Sequence, residues 1–448
     1  MPFSSRTVGI YTLGCKVNQY ESEAIAEAFC KEGFSVQAPE LPCDVYVINT
    51  CTVTAESDRK ARQFIRRAIH QNPDAKILVT GCLSQTQPEA VARIPGVDYI
   101  CGNASKLSVV EAAIRLTANA AKPETPCTEV PELSAFEKMR ISRFDRTRAY
   151  IKIEDGCESH CTYCIIPAAR GKIRSKAPED VIAEAGALTA GGCREIVLTG
   201  IETASYGKDL KDCGLAELLA LADAIPGIGR IRLGSLDPSL MKQAFVDRIA
   251  SLRSLTPHFH LSVQSGSDTV LARMKRKYNS RMVFEGMERL RRAFPQVQFT
   301  TDIIVGFPGE SDAEFEETLA FAEKAGFLRI HVFPYSRRAG TPAAVMPEQV
   351  PEEIKHRRAA ILADAEAGIR KRILDGLTGQ VFPVLFERTG EDGNRGHTPS
   401  FVEVGVDSSA PRAGETRMVR ITGNDGERCR GELCPENDEN TEGVNEER

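Results

Sequence analysis

The chain has 448 residues, 42% of them hydrophobic and 27% charged, with 57 basic against 62 acidic side chains and a net charge of −5. This composition is typical of a globular protein of about two to four domains and excludes collagen-like rods, coiled coils and wholesale disorder. No apolar run approaches the roughly 18 residues of a membrane span and the N-terminus lacks a signal-peptide pattern, so we expect a cytoplasmic protein, without membrane association, whose 14 cysteines stay reduced.

The N-terminal part alternates short apolar runs with helical patterns. Strands are predicted at residues 8–13, 45–49, 76–80 and 97–100, and helices at 21–32, 58–71, 87–93 and 105–118. Alternating strands and helices imply right-handed crossovers and a parallel sheet. We therefore predict an N-terminal α/β domain over residues 1–121 and a proline-containing linker over residues 122–148.

The alternation resumes after the linker. Strands are predicted at residues 149–154, 195–199, 230–234, 258–263, 298–305 and 328–333, with helices at 178–190, 215–224, 238–251 and 313–325. Six βα units predict a partial (β/α)6 TIM-type barrel over residues 149–375, with its chemistry at the C-terminal ends of the strands.

A long amphipathic helix is predicted over residues 352–377, and only strands are predicted after it. Segments 380–387, 401–406 and 416–423 alternate in the strand sense and predict a small β-barrel over residues 376–435. Residues 436–448 carry six acids and one base, which accounts for the whole net charge, and we predict that this tail is disordered.

The neutral body contains three local excesses of basic residues, at 59–67, 138–176 and 273–292. For any single patch, a solvent-exposed surface without a binding role is as good an explanation as a binding site. Three such patches around one site would favour a polyanionic partner.

Cys157, Cys161 and Cys164 directly follow a predicted strand. Three thiolates at this spacing suit a cubane iron–sulfur cluster, in which one iron without a cysteine ligand can coordinate a substrate or cofactor. The alternative is a zinc knuckle with His160 as the fourth ligand.

Cys15, Cys51 and Cys82 follow the first three predicted strands of the N-terminal domain. Groups at the carboxyl ends of neighbouring parallel strands meet at one edge of the sheet, so these thiols predict a second three-cysteine cluster. Cys101 follows the fourth strand and is either a further ligand, a spare thiol or, as we expect, a core residue. The remaining cysteines show no partner pattern and are expected to be core fillers or surface thiols: Cys30, Cys43, Cys127, Cys193, Cys213, Cys429 and Cys434.

Five motifs stand out along the chain: Thr12 to Ser22 (TLGCKVNQYES), Asn49 to Thr54 (NTCTVT), Gly156 to Pro167 with Arg170-Gly171, Gln264 to Ser267 and Asp302 to Glu310. Through these motifs the sequence resembles the radical S-adenosylmethionine methylthiotransferases over nearly its whole length. It is most similar to the branch acting on N6-threonylcarbamoyladenosine in tRNA, and Lys16-Val17-Asn18 after Cys15 is the main signal for this branch.

The resemblance implies an enzyme with two 4Fe-4S clusters and S-adenosylmethionine. The cluster on Cys157, Cys161 and Cys164 would bind and reductively cleave this cofactor, and the cluster on the N-terminal cysteines would carry the sulfur that is methylated and transferred to C2 of the adenine. Such an enzyme needs tRNA, an electron donor such as flavodoxin or ferredoxin, and a sulfur source, and we expect a monomer. No catalytic residue beyond the six cluster ligands is predicted.

Cofactor contacts are expected at or near the ends of barrel strands, at Gly200, Ser235, Gln264 and Asp302, although each is equally compatible with a packing role. Two local sequences depart from the family pattern, at 200–202 and 261–264, and neither removes a cluster ligand. His258 and His260 alternate along one strand, which favours a structural role over metal ligation.

The C-terminal barrel resembles the TRAM domain, an RNA-binding β-barrel, but residues 375–435 contain seven bases and ten acids. We therefore expect the three basic patches to supply most of the attraction to phosphate. The competing interpretations are a methylthiotransferase for another tRNA adenosine or for a ribosomal protein side chain, an RNA-binding iron–sulfur scaffold without catalysis, and a zinc-based nucleic-acid-binding module.

Overall fold

The computed structural model describes residues 6–118, 123–144, 147–388 and 393–435. The acidic tail predicted to be disordered, 436–448, lies outside the described residues. No helix in the described part of the chain is long and apolar enough to cross a membrane.

The N-terminal domain is a six-stranded parallel sheet in the order β2-β1-β3-β4-β5-β6, as predicted from the alternation of strands and helices. Its elements are β1 Thr7–Thr12, α1 Lys16–Lys31, β2 Ser35–Gln37, β3 Val45–Thr50, α2 Ala55–Gln71, β4 Lys76–Gly81, α3 Cys82–Thr86, α4 Pro88–Ala92, β5 Tyr99–Cys101, α5 Ser108–Ala118 and β6 Cys127–Glu129. The central strands β3 and β4 are buried along their whole length. This burial explains their near-continuous apolar sequences.

The predicted linker is less open than its prolines suggest. β6 lies within it and adds a parallel strand beside β5. Further along, Met139 and Ile141 are buried in the core that the N-terminal domain shares with the rest of the chain. Tyr20 of α1 donates a hydrogen bond to the carbonyl of Met139 over 2.7 Å. The segment therefore packs across the junction of the two domains.

The central domain is a curled half-barrel of six parallel strands, in agreement with the predicted partial barrel. Two hydrogen-bonded sheets, β10-β9-β7-β8 and β11-β12-β13, are joined through a parallel bridge between Leu236 and Leu261. The elements are β7 Arg148–Asp155, α6 Ile166–Arg170, β8 Arg174–Ser175, α7 Pro178–Ala190, β9 Glu195–Gly200, α8 Leu215–Asp223, β10 Arg230–Leu233, α9 Gln243–Ile249, β11 His258–Gln264, α10 Asp268–Arg273, α11 Ser280–Ala293, β12 Gln298–Val305, α12 Asp312–Ala325, β13 Arg329–Pro334 and α13 Glu352–Asp375.

The C-terminal strands form a closed five-stranded barrel in the order β14-β15-β16-β18-β17, which confirms the predicted small barrel. They are β14 Val381–Arg388, β15 Asn394–His397, β16 Glu403–Val406, β17 Thr416–Asn424 and β18 Cys429–Leu433. The predicted strand at 401–406 begins two residues later in the structure. Phe401 instead lies in a left-handed turn, with φ of 70° and its amide bonded to the carbonyl of Thr398.

Phe401 closes one end of the half-barrel. Its ring stacks on His258 and His397 at 4.7 Å each, and the guanidinium of Arg232 lies 4.6 Å from its centroid. Arg232 also donates to the carbonyl of Pro399 over 3.2 Å. The small barrel therefore seals the half-barrel at the N-terminal ends of its strands and leaves the C-terminal ends to the N-terminal domain.

Candidate active site

The loop that carries Cys157, Cys161 and Cys164 is fixed tightly behind β7. Gly156 has φ of +92°, and a Cβ there would come within 2.0 Å of the carbonyl oxygen of Lys172. Cys157 donates its amide to the carbonyl of Gly171 over 3.0 Å. Only glycine allows so close an approach of two backbone segments, so this glycine sets where the first cysteine of the loop lies.

The structure brings the three loop cysteines together. Burial raises the pKa of Cys164 to about 12, with Cys161 and Cys157 adding to the rise, and burial likewise raises the pKa of Cys157. Arg276, from the segment after α10, places its Nη1 atom 3.0 Å from the sulfur of Cys161 and donates to Asp237 over 2.9 Å. A cation thus lies where thiolate charge would develop.

The N-terminal cysteines converge at one edge of the parallel sheet. Cys15 is the N-cap of α1 after β1, Cys51 follows β3, and Cys82 begins α3 directly after β4. These strands are neighbours in the sheet, and burial together with Cys82 and Cys15 raises the pKa of Cys51 to about 11. The order of the strands therefore brings thiols that are remote in sequence to one edge of the sheet.

Another group of potential metal ligands contains no cysteine. Within the described ranges, ligand atoms of His260, Asp302 and His331 all lie within 4.8 Å of one another. His160, the fourth ligand in the zinc alternative for the loop cysteines, is exposed.

Cys101 ends β5 and is fully buried in the hydrophobic core. Burial raises its pKa to about 11. This agrees with the core role expected from the sequence. The cysteines expected to be fillers or surface thiols divide accordingly: Cys43, Cys193 and Cys429 are buried, Cys213 and Cys434 are half-buried, and Cys30 and Cys127 are exposed.

A buried network of charges joins the two cysteine sets. Arg170 of α6 is fully buried and extends into the N-terminal domain, where its Nε atom lies 3.3 Å from the sulfur of Cys82. The same guanidinium donates to Glu21 over 2.6 Å and to Asn18 over 2.6 Å. Arg170 and Cys157 lie on either side of the loop that begins at Gly156, so one short segment of chain reaches both cysteine sets.

The network contains more cations than carboxylates. Lys106, Lys152 and Arg170 contact Glu21, while Lys152, Arg170 and Arg174 contact Asp155. Burial opposes ionisation of Glu21, but Arg170, Lys106 and Lys152 outweigh it and hold the pKa of this carboxyl well below its usual range. Four cations against two carboxylates leave a surplus of positive charge beside Cys82. Because unpaired buried charge is costly, this surplus indicates that an anionic group belongs there.

The predicted cofactor contacts occupy two levels of the half-barrel. Gly200 ends β9, Ser235 follows β10 and is exposed, and Gln264 ends β11 with φ of 71°. A positive φ in a non-glycine residue is strained and clusters at functional sites. Asp302 lies deeper, inside β12, and its carboxylate is 3.2 Å from Nε2 of His260.

The half-barrel encloses a polar lumen below the cysteines. His258 and His260 both bond the hydroxyl of Thr300, over 3.1 and 2.9 Å, which is the structural role expected for them. Lys16 extends into the same lumen, where Arg232, Arg148 and Asp302 are its charged neighbours.

Several residues of this site were not predicted. Arg170 belongs to a motif of the family but had no predicted role, and Lys16 was predictable only as a signal for the branch. Glu21 lies within a motif, and Arg276 lies in a basic patch. Lys106 carries no local signal, because its partners Glu21 and Asn49 are more than fifty residues away in sequence. Lys152 pairs with the nearby Asp155, but its contact with Glu21 spans 131 residues of sequence.

Comparison with known proteins gives matches over most of the chain. Residues 151–322 match the Radical SAM superfamily, and residues 7–102 match Uncharacterized protein family UPF0004. The chain is 40% identical over 422 residues to the threonylcarbamoyladenosine tRNA methylthiotransferase MtaB of Bacillus subtilis (strain 168), covering 93% of each chain.

One further relative and one solved structure also match much of the chain. A tRNA-2-methylthio-N(6)-dimethylallyladenosine synthase of Carboxydothermus hydrogenoformans is 35% identical over 425 residues, covering 92% of this chain and 96% of that protein. Among solved structures, the cobalamin- and 4Fe-4S-bound radical S-adenosylmethionine methyltransferase TsrM of Kitasatospora setae aligns with a TM-score of 0.55 at 17% identity, covering 76% of this chain and 77% of that one. At this identity the structural match supports the fold alone.

Proposed function

The chain belongs to the family of radical S-adenosylmethionine methylthiotransferases, which use a 4Fe-4S cluster and S-adenosylmethionine, and we propose that it adds a methylthio group to C2 of N6-threonylcarbamoyladenosine next to the anticodon of tRNA. The observation that carries the proposal is the contact of Arg170 with Cys82 over 3.3 Å, which joins the half-barrel to the N-terminal cysteines. A methylthio transfer needs a radical source and a sulfur source in one cavity.

The residues present fit the two clusters. Cys157, Cys161 and Cys164 would hold the cluster that binds S-adenosylmethionine, and Cys15, Cys51 and Cys82 would hold the second. The cation surplus around Glu21 and Asp155 suits the negative charge of thiolates bound to iron and sulfide. When bound, these groups supply the radical that removes hydrogen from the adenine and the sulfur that is methylated and transferred.

The protein's own residues position and shield these groups. Arg170 donates towards Cys82, and Arg276 donates towards Cys161, so each cysteine set has a buried cation that stabilises negative sulfur. Asn18 donates to the carbonyls of Leu13 and Thr50 over 2.7 and 3.0 Å, which ties together the loops that carry Cys15 and Cys51. Rigid support of this kind aligns reacting groups and lowers the entropic part of the barrier.

Gly200, Ser235 and Gln264 remain our proposed contacts for S-adenosylmethionine, because they lie at the open ends of β9, β10 and β11. Asp302 is proposed as a polar group of the lumen below them, since its carboxylate is already held by His260.

The further partners are proposals that follow from this chemistry. The reaction needs an electron donor, such as flavodoxin or ferredoxin, and a supply of sulfur. The C-terminal barrel is proposed to contact tRNA as a TRAM domain. We also propose that the protein acts as a monomer in the cytoplasm.

The experiment is anaerobic reconstitution with iron and sulfide, followed by S-adenosylmethionine, a reductant and tRNA carrying N6-threonylcarbamoyladenosine. Mass spectrometry of the digested nucleosides should show the mass of this nucleoside increased by one methylthio group. Cys161→Ala should abolish formation of 5′-deoxyadenosine, and Cys51→Ala should retain it but give no methylthio product, whereas the exposed Cys30→Ala should behave as wild type.

Two outcomes would refute the proposal. One is the absence of any methylthio nucleoside when both clusters are present by iron content and spectroscopy. The other is conversion of dimethylallyladenosine tRNA in preference to the threonylcarbamoyl substrate, which would place the chain with the other relatives.

A further inference from the structure

The lumen of the half-barrel is a cavity of about 330 Å³ below the cysteines. Phe401 and His397 of the C-terminal barrel line its lower part, and His260 and His331 line its wall. Lys16, which directly follows Cys15, reaches into it from the N-terminal domain. All three domains therefore contribute to a cavity that begins beside the N-terminal cysteine set.

Lys16 stands where a cation is unfavourable. It is the first residue of the 16-residue helix α1, whose first turn contains no acidic residue. The backbone amides at a helix N-terminus carry partial positive charge, so a lysine ammonium there is destabilised and an anion is stabilised. Arg232 and Arg148 lie close enough to add further repulsion.

The nearby charges are already committed to other groups. Arg148 and Arg232 both pair with Glu195, over 2.8 and 2.7 Å. Asp302 is the carboxylate whose charge acts on Lys16, and it is 3.2 Å from Nε2 of His260. The side-chain ammonium of Lys16 makes no hydrogen bond or salt bridge in the described part of the chain. The cavity therefore presents one ammonium without a partner, in surroundings that favour an anion.

We propose that Lys16 binds the carboxylate of the threonylcarbamoyl group and thereby selects this nucleoside over adenosines with neutral N6 substituents. The inference rests on the proposed function, since it concerns how that substrate is recognised. C2 and N6 of adenine flank N1 on the same edge of the base, so a base whose C2 faces the cysteines directs its N6 substituent into the adjoining cavity. The lysine ammonium can donate up to three hydrogen bonds to that carboxylate, whereas a dimethylallyl group offers it no acceptor.

The test uses two stem-loop RNAs that differ in one group. One carries N6-threonylcarbamoyladenosine, and the other carries its threonine amide, which is neutral and nearly the same shape. Dissociation constants for the reconstituted enzyme are measured by fluorescence anisotropy, and methylthio product is followed with both RNAs. The variants are Lys16→Met, Lys16→Arg, and Lys31→Met at the exposed far end of the same helix.

We expect the wild type and Lys31→Met to bind the carboxylate RNA at least tenfold more tightly than the amide RNA, which is about 1.4 kcal/mol. Lys16→Met should bind both within twofold, and Lys16→Arg should recover most of the preference. The inference is overturned if Lys16→Met keeps the wild-type preference, or if it weakens both RNAs equally, as a phosphate contact would. If the wild type prefers the carboxylate RNA but forms no methylthio product from it, the proposed function fails and the recognition stands.

Discussion

Arg170 is the residue that links the half-barrel to the N-terminal cysteine set. It is fully buried, yet it lies on a helix of five residues in the half-barrel and makes most of its contacts in another domain. Burial opposes its charge, but Asp155, Cys82 and Glu21 more than compensate, so its pKa lies well above the usual value. A permanent, planar cation with several donors suits this position better than a lysine would.

Replacing Arg170 by methionine should therefore lower both the stability of the protein and its iron binding at the N-terminal site. Breaking a buried charge network by removing one member costs about 3–5 kcal/mol, and loss of the cation beside Cys82 should weaken the N-terminal cluster. Urea unfolding and iron content of the reconstituted protein measure the two effects. The matched control is Arg253→Met, an exposed arginine of the same domain. Unchanged iron content together with unchanged stability would contradict the role assigned to Arg170.

Glu202 leads to a prediction of how the free energy of unfolding depends on pH. Burial, followed by Asp237, raises its pKa from 4.5 to about 7. A carboxyl with a raised pKa contributes stability that is present below pH 4.5 and is lost as the pH rises through about 7.

Between pH 5 and pH 8, the wild type should therefore lose about 2 kcal/mol more of its free energy of unfolding than Glu202→Gln, since one pKa unit is about 1.4 kcal/mol. Urea unfolding of the iron-free protein, followed by circular dichroism at both pH values, measures this difference. Parallel pH dependence in the two proteins would show that Glu202 is ionised throughout.

Among the elements, the strand ends that carry the cysteines depend on backbone geometry. Gly81 ends β4 directly before Cys82 with φ of 103° and ψ of −163°, a conformation open essentially to glycine alone. A Cβ at this position would come within 2.4 Å of the carbonyl oxygen of Thr50 on β3. The close approach of two backbones thus fixes where Cys82 lies relative to Cys51.

Gly81→Ala should accordingly destabilise the protein by about 3 kcal/mol or more, and should lower iron at the N-terminal site. Gly192→Ala is the control, because Gly192 also has a positive φ, of 96°, but a Cβ added there would meet no atom of the described residues within 4 Å. That variant should cost only the conformational strain, about 1–2 kcal/mol. Equal losses of unfolding free energy in both variants would mean that the clash at Gly81 is relieved.

The sequence predicts those parts of the fold that depend on local patterns, and it misses those that depend on contacts remote in sequence. The parallel sheet, the half-barrel and the small barrel follow from periodicity, which is a local property. β2 and β6, of three residues each, are too short for a periodic pattern and exist because a neighbouring strand offers hydrogen bonds. The convergence of Cys15, Cys51 and Cys82 was predictable because the ends of neighbouring parallel strands share an edge, whereas the network around Glu21 depends on contacts between domains.

Across the whole molecule, linear charge proved a poor guide to surface charge. The sequence predicted that the patches at 138–176 and 273–292 attract phosphate. In the structure, Lys152, Arg170, Arg174 and Lys176 of the first patch are buried. In the second, five of the eight basic groups pair with acidic partners, which are Glu314, Asp237, Glu285 and Glu288. Much of the apparent patch charge therefore belongs to the interior or is paired.

The patch at 59–67 is different, and it gives the last prediction. Arg66 and Arg67 are exposed on α2, the helix that follows the loop of Cys51. Within the described ranges, neither guanidinium makes a hydrogen bond or salt bridge. Each phosphate contact contributes roughly 0.7–0.9 to the slope of log affinity against log salt. Replacing both arginines by glutamate should therefore weaken tRNA binding and reduce this slope by about one to two.

Arg281→Glu serves as the comparison, because Arg281 is also exposed but already pairs with Glu285 over 2.8 Å. Affinity titrations between 50 and 200 mM salt, a range in which such contacts change binding strongly, measure both slopes. If the double variant keeps the wild-type slope, α2 lies outside the RNA-binding surface.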